Sequence, residues 1–231
     1  MLPQTDPHQT IYISRGTRFH ENTTSFLSRN GGDPALANFL RKLKEHLLPR
    51  MRGVPDDGHQ YTAQELRSIV FENNRIYKHK VVQHNYTTYD LRRKSNSRNP
   101  RFSADIMVLS NDSGGYPYWF GRIIGVFHAR VLDFDSPTPN QARNVHFVYV
   151  RWYELDRKSR FGLRAKRFPR LHFFPANSPL AFSFINPKDI LRAAHIIPAY
   201  AYGRTNESLP GKTVARPEAE DDDYKYFYAA M

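Results

Sequence analysis

Aromatic and β-branched residues concentrate in two long runs in the middle of the chain. The first is YPYWFGRIIGVFHARV (Tyr116–Val131), and the second is VHFVYVRWYE (Val145–Glu154). Both runs are poor in helix-forming residues, and an arginine interrupts the apolar residues of each, Arg122 in the first and Arg151 in the second. This composition is typical of long, twisted antiparallel strands. The pattern therefore predicts a mainly β domain, and neither run contains a catalytic motif.

Side chains of a strand alternate between two faces, so the second run can be divided into two sets. The more apolar set is expected to face the core and consists of Val148, Val150 and Trp152; the other consists of Tyr149, Arg151 and Tyr153. Further short strands are predicted on both sides of these runs, at Ser68–Glu72, Arg75–Asn85, Ala104–Ser110, Arg170–Phe174, Ala193–Pro198 and Tyr224–Tyr228.

Helical spacing occurs near the N-terminus, apart from one helical turn that is predicted at Asn186–Ile190. Asp33 followed by Pro34 is a typical helix start, and apolar residues then recur at helical intervals until Pro49, which is expected to end the helix. Thr62 and Glu65 form a capping box for a second, short helix. We therefore expect a loose arm at residues 1–32 with one short strand at Ile11–Ile13, a helical extension at 33–66, and a β domain at 67–231.

The amino-acid composition shows that the chain is strongly basic. The net charge is +12, which favours polyanionic partners, with nucleic acid ahead of an anionic membrane. There is no cysteine, which excludes disulfides and thiolate metal sites. No apolar run is long enough for a transmembrane helix, and the first residues do not resemble a secretory signal. An intracellular protein without a membrane partner is expected.

Two segments concentrate the basic residues. The candidate nucleic-acid-binding residues are Arg92, Arg93, Lys94, Arg98 and Arg101 in the first segment, and Arg157, Lys158, Arg160, Arg164, Lys166, Arg167 and Arg170 in the second. Phe161 and Phe168 are interleaved with the second set, as on surfaces that contact phosphates and stack bases. A solvated loop without a specific ligand and an acidic protein partner remain alternatives.

Much of the chain resembles a family of basidiomycete proteins. The segments NNRIYKHKVVQHNYTTYDLRRKSNSRNPRFSADIMVLS, YPYWFGRIIGVFHARV, VRWYELD and INPKDILRAAHIIPAYAYGRT, with the terminal aromatic strand, are similar to a domain associated with Kyakuja–Dileera–Zisupton transposons. The resemblance covers roughly residues 34–231. It implies a transposon-derived fungal protein that acts in the nucleus on DNA or chromatin, with a transposase as a further possible partner.

A second, more distant resemblance concerns the bromo-adjacent homology (BAH) domains. Their order of motifs is similar to Asp105–Val108, Trp119–Ile124, Val150–Tyr153, Pro187–Ile190 and Tyr224–Tyr228 in this chain. The resemblance implies an SH3-type antiparallel barrel. It also implies that an aromatic peptide site for a histone tail would involve Trp119, Trp152 and Tyr153. The pattern differs at Glu154, where methyl-lysine readers of this kind usually have tyrosine, and a core role for Trp152 is the alternative.

Catalytic and metal-binding motifs are weak. Asp133, Asp135 and Asp156, the last followed by Arg157 and Lys158, faintly match the carboxylate pattern of metal-dependent nucleases, which is the alternative to a binding module. The histidines lack metal-ligand spacing, so we expect no metal site and no cofactor. The acidic run Glu218–Asp223 is expected to face the basic residues of 151–170.

Overall fold

The computed structural model describes residues 11–13, 16–55, 58–87, 93–98, 104–110 and 116–230. The helices are α1 (Thr23–Arg29), α2 (Phe39–Arg52) and α3 (Ala63–Ser68). The strands are β1 (Ile11–Ile13), β2 (His20–Asn22), β3 (Ile69–Phe71), β4 (Arg75–His79), β5 (Val82–Thr87), β6 (Arg93–Arg98), β7 (Asp105–Leu109), β8 (Tyr118–Asp133), β9 (Arg143–Leu155), β10 (Arg170–Phe173), β11 (Phe182–Ile185), β12 (Ile190–Ala193), β13 (His195–Pro198), β14 (Arg204–Thr205), β15 (Asp223–Tyr224) and β16 (Phe227–Ala230). None of the helices among these residues is long and apolar enough to cross a membrane.

The protein is mainly β, as the sequence predicts. The two aromatic runs form the long hairpin β8–β9, which is the centre of an 11-stranded sheet. The main path of this sheet is β12-β7-β8-β9-β10-β16-β13, while β3, β4 and β11 pair with the outer edges of the hairpin and β2 pairs with β4. Every strand pair in it is antiparallel. Smaller sheets are formed by β1-β5-β6 and β14-β15.

The expected barrel is not closed. The two ends of the path, β12 and β13, follow each other in the chain and are separated only by Ala194. The N–H of Ala194 donates to the carbonyl oxygen of Asp105 at 2.9 Å. After this point the chain leaves β7 and pairs with β16 instead. The ends of the sheet are thus joined by a continuous chain rather than by a ladder of hydrogen bonds.

The N-terminal region is more structured than the sequence indicates. Residues 20–29, expected to lie in a loose arm, form β2 and α1. The predicted helix from Pro34 is divided: residues 34–36 form one 3₁₀ turn, Asn38 adopts a left-handed conformation with φ 58°, and α2 starts at Phe39. Pro49 lies inside α2 rather than at its end. The helix stops at Gly53, whose N–H donates to the Pro49 carbonyl with φ 68°, in the conformation that glycine adopts easily.

The core has three clusters, and β9 contributes to all of them. Helix α2 packs through Phe39, Leu43 and Leu47 on one cluster, which includes Phe147 and Tyr149. The predicted core face of β9, formed by Val148, Val150 and Trp152, lies in the second. The opposite face is also buried, because Tyr149 lies under α2 and Tyr153 lies in the third cluster with Phe173 and Phe227. The strand is therefore covered on both sides, which alternation alone does not indicate.

Candidate nucleic-acid interface

The second basic segment forms a clamped loop, Asp156–Arg170, which we call the basic hairpin. At its base the Asp156 N–H donates to the Arg170 carbonyl at 2.9 Å, and the Arg170 guanidinium donates to the Asp156 carboxylate at 2.8 Å. Near its tip Gly162 and Arg167 form an isolated antiparallel bridge, and Lys166 turns the chain with φ 49°. These contacts at both ends give the loop a defined shape although it contains no regular strand.

The basic hairpin presents positive charge to solvent. Its exposed cations are Arg157, Lys158, Arg160, Arg164, Lys166 and Arg167. Among the described residues, no carboxylate forms an ion pair with any of the last five. Leu163, which lies between them in the chain, is 98% exposed, and Phe168, which follows Arg167, is 51% exposed. Apolar side chains at such exposure, surrounded by cations, are suited to contact a ligand that combines flat apolar surfaces with negative charge.

An aromatic cleft lies directly beside this hairpin. At the open end of the β8–β9 hairpin, opposite the turn, the final residue pair is Gly121 with Trp152. From there to the start of β8 and the end of β9, no pairing between the two strands is described. A Cβ atom on Gly121 would lie 2.4 Å from Cγ1 of Val150 and 2.9 Å from the Trp152 ring, so glycine allows both side chains to pack against this position at the end of the ladder. The separated strands enclose a cavity of about 300 Å³. It is lined by Tyr116, Tyr118, Trp119, Phe120, Tyr153, Glu154, Leu155, Arg157, Leu171, Phe174 and Leu180.

The basic hairpin and the aromatic cleft are physically connected. Phe161 of the hairpin packs edge-on against Tyr116 of the cleft, with ring centroids 5.5 Å apart. Arg157 belongs to both, because it lines the cleft and begins the hairpin. Glu154 is the carboxylate of the cleft, and its Oε2 lies 3.8 Å from Nε2 of His172 on the neighbouring strand. A ligand in the cleft would therefore meet aromatic rings, the Glu154 carboxylate and the Arg157 guanidinium, from which the basic hairpin continues.

The predicted aromatic site residues have different positions in this arrangement. Trp119 and Tyr153 line the cleft, although the Tyr153 hydroxyl is used internally and donates to Asp105 at 3.0 Å. Trp152 does not line the cleft: it is 5% exposed, and its indole N–H donates to the Ser183 hydroxyl at 2.7 Å. It packs edge-on behind Trp119, with ring centroids 5.7 Å apart. Trp152 therefore supports the cleft from behind.

The predicted basic residues are also divided. Arg92 and Arg101 lie outside the described residues, and Arg93, Lys94 and Arg98 belong to β6, where only the backbone is described. Arg170 is engaged by Asp156, and its guanidinium lies over the rings of Tyr202 and Tyr226. Burial alone would raise the pKa of Asp156, but the hydrogen bonds from Arg170 and from the Lys158 N–H, together with the positive charge of Arg170, outweigh it and hold this pKa below its usual value. Arg170 therefore has a structural role at the base of the hairpin, and contact with a ligand would fall to the exposed cations of the hairpin.

Several residues of the cleft are not predicted as site residues from the sequence, and Glu154, Phe174 and Leu180 are examples. For Glu154 the one signal in the sequence is its position two residues after Trp152. Phe174 and Leu180 follow β10 and reach the cleft through tertiary packing, for which the sequence gives no local signal.

The carboxylates of the nuclease pattern are not brought together. Asp133 ends β8 and pairs with Arg52 at 3.1 Å, whereas Asp156 follows β9 at the other end of the hairpin and pairs with Arg170. A strand the length of β9 spans on the order of 40 Å, so the two cannot share a metal ion. His79 and His128 form a buried pair through Nε2 and Nδ1 at 2.6 Å. In the part of the chain that the structure describes, no group of histidines and carboxylates has the geometry of a metal site.

The acidic run meets cations, but mostly not those that were expected. Asp223 pairs with Arg151 and Arg216 in the interior, and Asp222 and Glu220 pair with Arg204. Only Arg151 belongs to the 151–170 segment, and it is 1% exposed. The tip of the basic hairpin therefore has no acidic partner from this run.

Comparison with known proteins identifies no relative: no protein-family model, no curated protein and no solved structure matches this chain.

Proposed function

We propose that this chain is a non-catalytic nucleic-acid-binding module, in which the basic hairpin contacts phosphates beside the aromatic cleft. The observation behind the proposal is the group of five exposed cations, Lys158, Arg160, Arg164, Lys166 and Arg167, without an ion-pair partner among the described residues. Cations that are already paired within a fold gain little from phosphate, whereas unpaired ones release the counterions that drive nucleic-acid binding.

The clamp at the hairpin base supports the same function. A loop held by the Asp156–Arg170 pair and by the Gly162–Arg167 bridge loses less conformational freedom on binding than a free basic tail. Contacts to phosphate fix the position of a protein on nucleic acid without selecting a sequence. The hairpin therefore provides affinity, and any preference among bases depends on the neighbouring cleft.

The family resemblances agree with this proposal. A transposon-associated origin favours DNA or chromatin as the ligand and the nucleus as the location. The β7-β8-β9-β10-β16 order, with β12 and β13 joining its ends, is compatible with an opened BAH-like barrel. A second candidate is a docking module for a histone tail or a transposase, which the aromatic lining and Glu154 favour because aromatic faces attract cations.

The test is a titration of fluorescent duplex and single-stranded DNA at several salt concentrations. For single strands we expect the slope of log K against log salt to be about −3.5, from five contacts at roughly 0.7 per phosphate. No binding at low salt, or binding without a salt slope, would disprove the proposal. A histone peptide that binds more tightly than DNA at physiological salt would favour the second candidate.

A further inference from the structure

The aromatic cleft has the shape and chemistry for one planar group rather than for an extended chain. Its volume of about 300 Å³ lies at the lower end of the range for small-molecule pockets. Its lining includes the ring pair Trp119 and Phe174, with centroids 6.5 Å apart, and the ring pair Tyr116 and Tyr118, with centroids 6.0 Å apart. Stacking between a base and an aromatic ring is worth about 1–3 kcal/mol, so these rings favour a nucleobase.

Glu154 adds a requirement for hydrogen-bond donors. Its side chain is 44% exposed, and an ionised carboxylate only accepts hydrogen bonds. A polar ligand group beside it must therefore offer hydrogen-bond donors, which in a nucleobase are N–H groups. Guanine offers two adjacent donors, N1–H and the 2-amino group, which match the two carboxylate oxygens. Thymine offers one N–H between two carbonyl oxygens, which a carboxylate repels.

The basic hairpin determines what kind of molecule brings such a group to the cleft. Arg157 lies at the junction, and the five exposed cations continue from it along the hairpin. This charge attracts the phosphates of a strand whose base occupies the cleft. The same charge repels a basic peptide tail, so a methylated lysine is the weaker match although aromatic rings attract it.

We propose that the aromatic cleft binds one unpaired guanine of a single-stranded nucleic acid, with Glu154 accepting from N1–H and the 2-amino group. This inference rests on the proposed nucleic-acid-binding function and deepens it. A base within a duplex has both its faces stacked and its Watson–Crick edge paired, so it cannot enter. The cleft therefore adds a preference for single strands to the affinity that the hairpin provides.

The experiment compares single-stranded ligands that differ at one base. The parent ligand is an oligothymidylate of about 15 nucleotides, and its variants carry one central guanine or one central hypoxanthine, which lacks the 2-amino group. We expect the guanine ligand to bind roughly 10-fold more tightly than the parent ligand, and the hypoxanthine ligand to lose part of that gain. Guanine binding should also quench tryptophan fluorescence, because Trp119 lines the cleft and the chain has only two tryptophans.

Two matched variants separate base recognition from net charge. Glu154→Gln and Glu207→Gln each remove one negative charge, and Glu207 is exposed and lies outside the cleft. Both should strengthen binding to the oligothymidylate slightly. Only Glu154→Gln should abolish the preference for guanine, whereas Glu207→Gln should retain it.

The possible failures are distinguishable. Salt-dependent binding with equal affinity for all three oligonucleotides would overturn the guanine site and leave the proposed function intact. Loss of the guanine preference in both glutamate variants would also overturn it, because net charge would then be the cause. Absence of salt-dependent binding to any strand would overturn the proposed function first. Fluorescence quenching by a trimethyl-lysine peptide, without any effect of guanine, would assign the cleft to the peptide instead.

Discussion

Arg151 and Asp223 are 72 residues apart in the chain and form a two-point ion pair in the interior. Nη1 of Arg151 donates to Oδ1 of Asp223 at 3.1 Å, and Nη2 donates to Oδ2 at 2.9 Å. Arg216 donates to the same carboxylate at 3.0 Å, and the Arg151 guanidinium lies 3.7 Å above the Phe173 ring. The arginine that interrupts the second aromatic run is thus an internal anchor for the C-terminal segment.

The first prediction concerns this anchor. Asp223→Asn should lower the free energy of unfolding by about 3–5 kcal/mol, because it leaves two buried guanidinium groups without a counter-charge. Asp222→Asn is the matched control, because its partner Arg204 is partly exposed and surface pairs contribute about 1 kcal/mol or less. Urea unfolding followed by circular dichroism measures both. Similar losses in the two variants would show that the buried pair has no special contribution.

The lowered pKa of Asp223 also predicts that the stability of the fold is sensitive to acid. Burial alone would raise its pKa, but Arg151 and Arg216 outweigh that effect and lower it. A carboxyl whose pKa is lowered in the folded state stabilises the fold above its unfolded pKa of about 4, and this contribution disappears as the pH falls through the folded value. The parent protein should therefore lose stability steeply below about pH 4, and Asp223→Asn should lose less over the same range. Equal slopes of unfolding free energy against pH would contradict this assignment.

A separate pH effect comes from His46. Burial, with a smaller contribution from Arg50, lowers its pKa to about 3. Its Nε2 lies 3.1 Å from Nη1 of Arg50, which can only donate, so the folded state requires a neutral imidazole. The unfolded chain takes up a proton near pH 6.5, so stability should fall as the pH decreases from 6.5 towards 3.

The variant His46→Gln tests this effect. Glutamine keeps an oxygen that can accept from Arg50 but does not titrate. Unfolding by urea at pH 7, 6, 5 and 4.5 should give a shallower decline for the variant than for the parent. Parallel declines would exclude His46 as the source. His128 would then be tested in the same way, because burial and the nearby histidines lower its pKa to about 4.

The sequence predicted the central hairpin because alternation and β-branched residues are local signals. In the sequence Arg122 and Arg151 are only interruptions, because their partners Asp105 and Asp223 are not neighbours in the chain. Only the fold shows that Arg122 forms a partly buried ion pair and Arg151 a buried one. The basic segment could be predicted from charge density, but its clamped shape could not, because the Asp156–Arg170 pair and the Gly162–Arg167 bridge are tertiary contacts. The cleft could not, because it exists only where β8 and β9 separate and where Phe174 and Leu180 return to them.

Trp152 should behave as a core residue. Its indole is buried and donates to Ser183, so Trp152→Ala should cost about 3–5 kcal/mol of stability. Ser183→Ala removes only the acceptor of this hydrogen bond and should cost less, about 1–3 kcal/mol. Thermal and urea unfolding check both values. A Trp152→Ala protein that melts like the parent but no longer binds a methylated histone peptide that the parent binds would instead make Trp152 a cage residue.

The last prediction tests whether the basic hairpin or net charge alone determines DNA affinity. Reversing Arg164, Lys166 and Arg167 to glutamate changes the net charge by six units at the hairpin tip. Arg41, Lys42 and Lys44 of α2 are a less suitable control, because Arg41 pairs with Glu45 and Lys42 donates to the Phe182 carbonyl. Arg67, Lys188 and Lys212 are exposed and form no ion pair with a described carboxylate, so their reversal changes the charge equally elsewhere.

We expect the hairpin variant to lose at least 10-fold more affinity than this control at moderate salt, because loss of three phosphate contacts also reduces the salt slope by about 2. The control should lower affinity at low salt only, where long-range attraction is poorly screened, and should keep the parent slope. Fluorescence anisotropy at several salt concentrations gives both quantities for each variant. Equal affinities and equal slopes in the two variants would mean that the positive charge of the whole protein, and not the hairpin, binds the nucleic acid.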